Sequence, residues 1–247
     1  MASAATPSPE SSASGNSFSR IFGVFFSPKE TFDSIAKRPT WLVPIILDCC
    51  LFISVVAIFT QRGGWPAFFE KQDANNSRIQ QMSAEDRENT LRTQIKVAPT
   101  FGYVEGVVLP FLVTLVVAGV LLGIFNAMGL NVAFKTSLGI VSYAWVPWLI
   151  HGLLSILILF LRDASTVDLQ NLVASNPGAL LSDDAAKWLT SLLSSIDIFA
   201  IWTMILVALG FSRVNPKKLP FGKAFATVAG MWIVFVLVKV ALTVAFS

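Results

Sequence analysis

Five ionisable side chains lie inside long apolar stretches of this chain: Asp48, Glu105, His151, Asp197 and Lys239. Burying such groups in a bilayer is costly, so they commonly belong to ion pairs, proton relays or substrate paths. If the N-terminus is on the inner side, the last four lie in the outer halves of their stretches. The sequence therefore predicts an outer-leaflet polar cluster in which Lys239 pairs with Asp197 or Glu105.

Three interpretations of this cluster are open. Glu105 and Asp197 can snorkel or cap helix ends at the interface, since Asp197 follows Ser194 by three residues. The group can instead form a structural ion pair that fixes the packing of the bundle, or it can serve transport or proton relay. Asp48 lies alone in the inner half, and we expect it to reach a neighbouring Ser, Thr or Asn.

The elements that carry these residues are predicted to be transmembrane helices. The chain is 54% hydrophobic with a mean hydropathy of +0.68, and only 13% of its residues are charged, against roughly 25% in soluble domains. Each apolar run is long enough to cross a hydrocarbon core of about 30 Å as a helix. We predict an all-α, polytopic membrane protein with a bundle of five transmembrane helices and an N-terminal interfacial helix. The predicted spans are about 41–60, 104–128, 138–161, 191–211 and 224–246.

Residues 1–17 differ from the rest, since they are small and polar and contain no Lys or Arg. This composition predicts a disordered tail rather than a secretory signal, and the membrane domain is predicted to occupy 18–247. Cys49 and Cys50 are adjacent within the first span. Adjacent cysteines there suit packing better than metal ligation or a framework disulfide.

The segment before the first span has the pattern of a capped helix. Ser27, Pro28 and Glu30 form a capping-box pattern, so a helix should begin at Pro28. It should end near Arg38, because Pro39 disfavours helix in the residue before it. An apolar side opposite a basic side predicts a helix lying in the headgroup layer, with an ordinary surface helix as the alternative. The apolar side consists of Phe22, Phe25, Phe26, Phe32 and Ile35.

Basic residues favour a cytoplasmic N-terminus and an outer C-terminus. The short loop 212–223 carries four of them, whereas the basic residues predicted outside lie mostly in a long loop, where they count for little. We expect a multi-pass protein of the cell membrane, in bacteria the inner membrane. The predicted inner residues are Arg20, Lys29, Lys37, Arg38, Lys135, Arg213, Lys217, Lys218 and Lys223.

The loops between spans contain two further signals. A helical piece over 82–97, capped by Ser83, is predicted either to lie on the membrane surface as a lid or to stand in solvent. In the 162–190 loop, the run 176–178 (Asn-Pro-Gly) predicts a turn. Within the second span, Gly119 and Gly123 have the GxxxG spacing that usually marks close helix contact.

Three segments together resemble the bacterial branch of the Yip family, five-span membrane proteins that interact with Rab GTPases. They are SPKETFDSIAKRP before span one, SYAWVP in span three and DIFAIWTMILVALGF in span four, and the likeness runs from about residue 20 to the end. The resemblance implies a helical bundle with a cytosolic N-terminus. The Asp-Leu-Tyr-Gly-Pro run of the eukaryotic relatives is missing, so the resemblance does not extend to Rab binding. The matching residues are Pro28, Phe32, Pro39, Tyr143, Pro147, Asp197, Phe199, Trp202 and Gly210.

The sequence shows none of the catalytic or ligand-binding motifs that are typical of soluble proteins. His151 is the sole histidine, no Gly-rich phosphate loop follows a strand, and metal-type spacings of His and Cys are missing, so we expect no catalytic, cofactor or metal site. The net charge of +3 also argues against nucleic acid. We therefore expect a non-enzymatic scaffold or adaptor in membrane organisation, and a small transporter or channel subunit is the alternative. The expected partners are the lipid bilayer, other membrane proteins and further copies of the chain.

Overall fold

The structure, a computed structural model, describes residues 16–74, 76–182 and 185–245. Positions 1–15 of the predicted tail lie outside the described residues. Ser17 already begins a helix, so the ordered part starts slightly earlier than the sequence predicted. The helices are α1 Ser17–Phe26, α2 Pro28–Lys37, α3 Leu42–Gln61, α4 Trp65–Ala74, α5 Ser77–Gln80, α6 Ala84–Ala127, α7 Phe134–Ala144, α8 Pro147–Leu161, α9 Lys187–Leu193, α10 Ile198–Val214 and α11 Phe221–Ala245.

The membrane-spanning elements agree with the predicted fold class. Four helical segments of the described chain are long and apolar enough to cross a bilayer, namely α3, α6, the run 134–161 and α11. The pair α9 and α10, bent by 46°, makes a fifth if it counts as one span. The described elements are helices and turns, so the all-α, polytopic membrane fold is confirmed.

Helix α6 corrects one prediction. The piece over 82–97 was expected either to lie on the membrane surface as a lid or to stand in solvent. From Ala84 it continues without a break into the second span, giving a helix of 44 residues, so the separate lid is wrong and the solvated alternative stays a prediction. At about 1.5 Å per residue this helix is about 66 Å long, more than twice the hydrocarbon thickness. Ser83 caps it as predicted, by accepting from the Asp86 amide at 3.1 Å. Pro99 and Pro110 lie inside it and each removes one backbone hydrogen bond without ending the helix.

Two spans that were predicted to be continuous are broken. In the third, α7 ends at Ala144 and α8 begins at Pro147, because proline is well suited to the first position of a helix. In the fourth, residues 194–197 separate α9 from α10, where a new helix begins after Asp197. Both breaks place irregular backbone within the bundle, where such backbone commonly lines functional cavities.

The connections gather at two ends of the bundle. At the first, the α2 end, Lys218 Nζ donates to the Gly129 carbonyl at 3.3 Å, which joins the α10–α11 and α6–α7 connections. At the second, the α9 end, Trp65 of α4 packs with Leu159 of α8 and Ala164 of the following loop. The N-terminal helices therefore lie at the α2 end, and the C-terminal end of α11 lies at the α9 end.

The main core holds the N-terminal helices against the bundle. Phe32 and Ile35 of α2 are completely buried beside α7 and α10. Phe125 of α6 and Phe211 of α10 stack with ring centroids 4.4 Å apart. Burying such side chains is worth about 1.5–3 kcal/mol each relative to exposure to water, so α2 is an integral part of the packed structure.

Candidate functional site

Asp197 lies where α10 begins and acts as its cap. Its Oδ1 accepts from the amides of Phe199 (2.7 Å) and Ala200 (3.2 Å), and its Oδ2 accepts from Ser175 Oγ in the preceding loop. A carboxylate at this position satisfies amides that have no partner within the helix and complements the helix dipole. Of the interpretations given above, the structure bears out helix capping for this residue.

Lys239 of α11 uses its charge to hold α9. Its Nζ donates to Ser195 Oγ at 3.0 Å and to the Ser191 carbonyl at 3.2 Å. Carbonyls at the C-terminus of a helix carry partial negative charge and favour a cation. The ion pairs found among the described residues do not include Lys239 with Asp197 or Glu105. Lys239 nevertheless lies close to Asp197, because its partner Ser195 is two residues before Asp197 in the sequence.

The other two members of the predicted cluster behave differently. His151 packs among aromatic rings, with its centroid 5.2 Å from Trp148 and 5.4 Å from Phe199. Glu105 lies on an exposed face of α6. His151 contacts Phe199, two residues after Asp197, and Lys239 binds Ser195, two residues before it. These three residues therefore lie around the start of α10, whereas Glu105 lies on the outer surface of the bundle.

Asp48 lines a small cavity of about 10 Å³ together with Thr114 and Ser142, a volume that holds about one water molecule. Both hydroxyls donate to backbone carbonyls of their own helices, those of Pro110 (2.6 Å) and Gly139 (3.1 Å). The expected neighbours of Asp48 are therefore present, but their hydroxyl protons are used elsewhere.

The start of α2 lies where the sequence predicted it, but it lacks the predicted side-chain cap. The helix runs over Pro28–Lys37 as expected, yet the Ser27 side chain caps none of its amides. Instead Thr31 Oγ1 donates to the Ser27 carbonyl at 2.9 Å. The expected capping box is therefore wrong, although the boundary is right, because Pro28 alone sets the first helical position. Phe32 faces protein, so it cannot be the membrane anchor that the sequence suggested.

Arg20 of α1 is the residue that sequence reasoning missed. It is only 6% exposed, and its Nη1 donates to the Arg38 carbonyl (2.9 Å) and to Thr40 Oγ1 (2.8 Å). Its Nη2 donates to Ser34 Oγ (2.8 Å) and contacts the Ser34 carbonyl at 3.4 Å. The guanidinium therefore caps the carbonyl end of α2. The sequence signal for this role is a single cation in the aromatic segment SFSRIFGVFF, where charge alone indicates only topology.

The network continues from Arg20 to the broken third span. Thr40 Oγ1 lies 3.2 Å from Tyr143 Oη, which donates to the Ser17 carbonyl at 3.2 Å. Tyr143 has one hydroxyl proton, which the Ser17 carbonyl accepts. Thr40 therefore donates to Tyr143 and accepts from Arg20. Tyr143, fully buried at the end of α7, thus ties the α1–α2 hairpin to the bundle just before the break at Pro147.

Other residues of the resembling segments also meet across α2 and α10. A Cβ placed on Gly210 would lie 2.9 Å from Phe32, so α2 can pack here only because α10 has a glycine. Trp202 packs edge-on against Phe25 with centroids 5.6 Å apart. In addition, Asp33 accepts from Arg213 at 2.7 and 2.8 Å.

A groove open to the bilayer lies between α6, α8, α10 and α11. Its volume is about 590 Å³, within the range of 300–1,000 Å³ typical of small-molecule sites. Leu121, Val207 and Val228 are buried in its floor, whereas Val116 and Phe235 on its rim are more than half exposed. The wall is almost wholly apolar. Gly119 and Gly123 lie near this groove on an open face, and a Cβ added to either would meet no described atom within 4 Å. The close helix contact that their spacing predicts is therefore not made within the described part of the chain.

These features define the class of the molecule: a polytopic helical membrane protein with an N-terminal helical hairpin packed into its bundle. A family profile described as the Yip1 domain matches residues 22–242. The chain therefore belongs to the Yip1 domain family, as the three sequence segments indicated.

One relative is a bacterial protein. The chain is 26% identical over 201 residues to "Membrane protein YknW" of Bacillus subtilis (strain 168), covering 79% of this chain and 78% of the relative. No solved structure matches the chain.

Proposed function

We propose that this protein is a non-enzymatic integral membrane scaffold or adaptor that holds other membrane proteins through its lipid-facing helices. One observation carries the proposal: the charges inside the bundle serve its own architecture. Asp197 caps α10 and Lys239 binds the end of α9. Ionisable residues in a transport path must be free to bind a solute or to change partners, whereas these are held by several local bonds.

The groove supports the same proposal. A path for ions or polar solutes needs polar groups to replace hydration, and the groove wall is almost wholly apolar. Exposed apolar faces on α6 and α11 are suited instead to packing against lipid or against another transmembrane helix, where small and apolar side chains make the contacts.

Reconstitution into liposomes separates a scaffold from a transporter. Proton and potassium fluxes into liposomes that contain the full chain should match those of protein-free liposomes. A robust flux that is lost in Lys239→Ala and in Asp197→Ala, but not in the surface variant Lys187→Ala, would defeat the scaffold proposal. Circular dichroism of each variant confirms that the helices persist.

We also propose a cytoplasmic N-terminus in the inner membrane of a bacterium. The α2 end carries most of the residues counted as inner, including Lys29, Lys135 and Lys218, and basic residues favour the cytoplasmic side. Alkaline phosphatase fused after Ser247 should be active, because it folds only outside the cytoplasm, and a fusion before Phe18 should be inactive. The reverse pattern would overturn the orientation without affecting the scaffold proposal.

A further inference from the structure

The apolar groove contains hydrogen-bond donors that have no partner. Thr203 of α10 is 7% exposed, and its Oγ1 makes no hydrogen bond. The indole Nε1 atoms of Trp148 and Trp145 are likewise buried and unpaired. Thr203 and Trp148 line the groove, while Trp145 stands between it and the small cavity of Asp48.

Such unpaired groups are unusual. A threonine within a helix commonly donates to the carbonyl four residues earlier, as Thr60 and Thr114 do here at 2.7 and 2.6 Å. Leaving a buried donor unsatisfied is energetically costly, because the water that it loses on burial is not replaced. Three of these groups beside one groove indicate that the groove receives a molecule with acceptor atoms.

The chemistry of the wall restricts that molecule. Indole N–H groups only donate, so the occupant must supply acceptors. Charged side chains do not line the groove, which favours a neutral occupant. Its volume of about 590 Å³ lies in the range of small-molecule sites.

The depth of these donors in the membrane excludes the polar part of a phospholipid as their hydrogen-bond acceptor. Trp145 and Trp148 lie midway along the run 134–161, and Thr203 lies within α10. Phospholipid ester groups lie in the interfacial regions that flank the hydrocarbon core. An acceptor that reaches these donors must therefore belong to a molecule dissolved in the core itself.

We propose that the groove between α6, α8, α10 and α11 binds a neutral, membrane-dissolved molecule that carries a carbonyl-type acceptor on an apolar body. Thr203 and Trp148 donate to the acceptor, and the floor residues Leu121, Val207 and Val228 contact the apolar body. The donor atoms are buried behind the groove wall, so this binding requires the side chains of Thr203 and Trp148 to turn toward the groove. The site is independent of the scaffold role and does not require it.

A matched pair of photoreactive probes tests this site on the full chain in phosphatidylcholine nanodiscs. One probe is a long-chain aliphatic ketone with a diazirine, and the other is the same molecule with a methylene in place of the carbonyl. Mass spectrometry locates the labelled peptides. One hydrogen bond in an apolar site should make the ketone label the groove at about 5-fold lower concentration than the hydrocarbon.

Variants identify the donors. Thr203→Val keeps the side-chain shape, Trp148→Phe keeps an aromatic ring, and each removes a donor. Each should therefore reduce the preference for the ketone, and the double variant should abolish it. Thr227→Val, whose hydroxyl donates to the Lys223 carbonyl outside the groove, is the matched control and should leave the preference unchanged. Val116→Trp, at an exposed rim position, should fill the groove and prevent labelling by both probes.

Three results would overturn the proposal. Equal labelling by ketone and hydrocarbon would mean that ordinary acyl chains fill the groove. A ketone preference that survives in the double variant would remove the role of these donors. Ketone labelling confined to peptides outside the groove would place the ligand elsewhere on the protein. The flux assay decides the scaffold proposal separately, so the two can fail independently.

Discussion

Arg20 is the side chain on which the attachment of the N-terminal hairpin depends most. Its guanidinium satisfies groups at the end of α2 and connects through Thr40 to Tyr143. Three geometrically separate acceptors require a planar fork of donors, which lysine lacks. A buried acceptor that loses its charged donor is costly, because water cannot replace the bond.

Arg20→Met should therefore lower the stability of the protein by about 2–4 kcal/mol, and Arg20→Lys should recover less than half of that. Thermal unfolding in detergent, followed by circular dichroism, measures the change as a fall in midpoint. Arg87→Met in the exposed first turns of α6 is the matched control and should change the midpoint little. Equal effects at Arg20 and Arg87 would contradict the role assigned to the network.

Among the helices, we expect α1 rather than α2 to lie at the membrane surface. Phe18, Phe22 and Phe26 follow one another at intervals of four residues and are 55%, 65% and 84% exposed. They therefore form one apolar face. Because α2 buries Phe32 in the protein, α1 is the helix of this hairpin whose aromatic side chains are free to enter the headgroup layer.

Spin labels in liposomes measure this placement. A label at Phe22 should be relaxed by oxygen, which concentrates in lipid, and a label at Lys29 should be relaxed by a water-soluble nickel chelate. If the nickel chelate relaxed both equally, the hairpin would stand in solvent and α1 would have no anchoring role.

The continuity of α6 gives a second test at the scale of elements. Two spin labels are placed in a chain whose Cys49 and Cys50 are replaced by Ala. They lie at Arg87 and Gly123, which are separated by 36 residues of one helix. Electron-spin distance measurement should give about 54 Å between their backbone positions. A surface helix that turned into the membrane at a right angle near residue 103 would give about 38 Å.

The sequence predicted the features that depend on local composition. Apolar length located the spans, and Pro28 and Pro39 marked the limits of α2. Interactions between distant residues could not be predicted in this way. Arg20 and Tyr143 are 123 positions apart, and the groove donors come from separate helices, so neither arrangement has a local pattern. The third and fourth spans broke where Pro147 and Asp197 offered strong helix starts inside apolar runs.

At the scale of the whole molecule, the question is what the bundle presents to its surroundings. Helix α11 is the least covered span, with 11% of its most apolar window buried within the chain. Val234, Leu237 and Ala241 lie exposed on one of its faces, turned away from the groove positions Val228 and Phe235 by the helical repeat. This face is available to another membrane protein.

Photo-cross-linking in living cells tests the scaffold account most directly. A photoreactive amino acid is placed at Val234, Leu237 or Ala241, and at the buried Val236 of the same helix as the control. The account predicts a protein adduct of one defined mass from at least two of the three exposed positions and none from Val236. Adducts with lipid alone at all three exposed positions would contradict it.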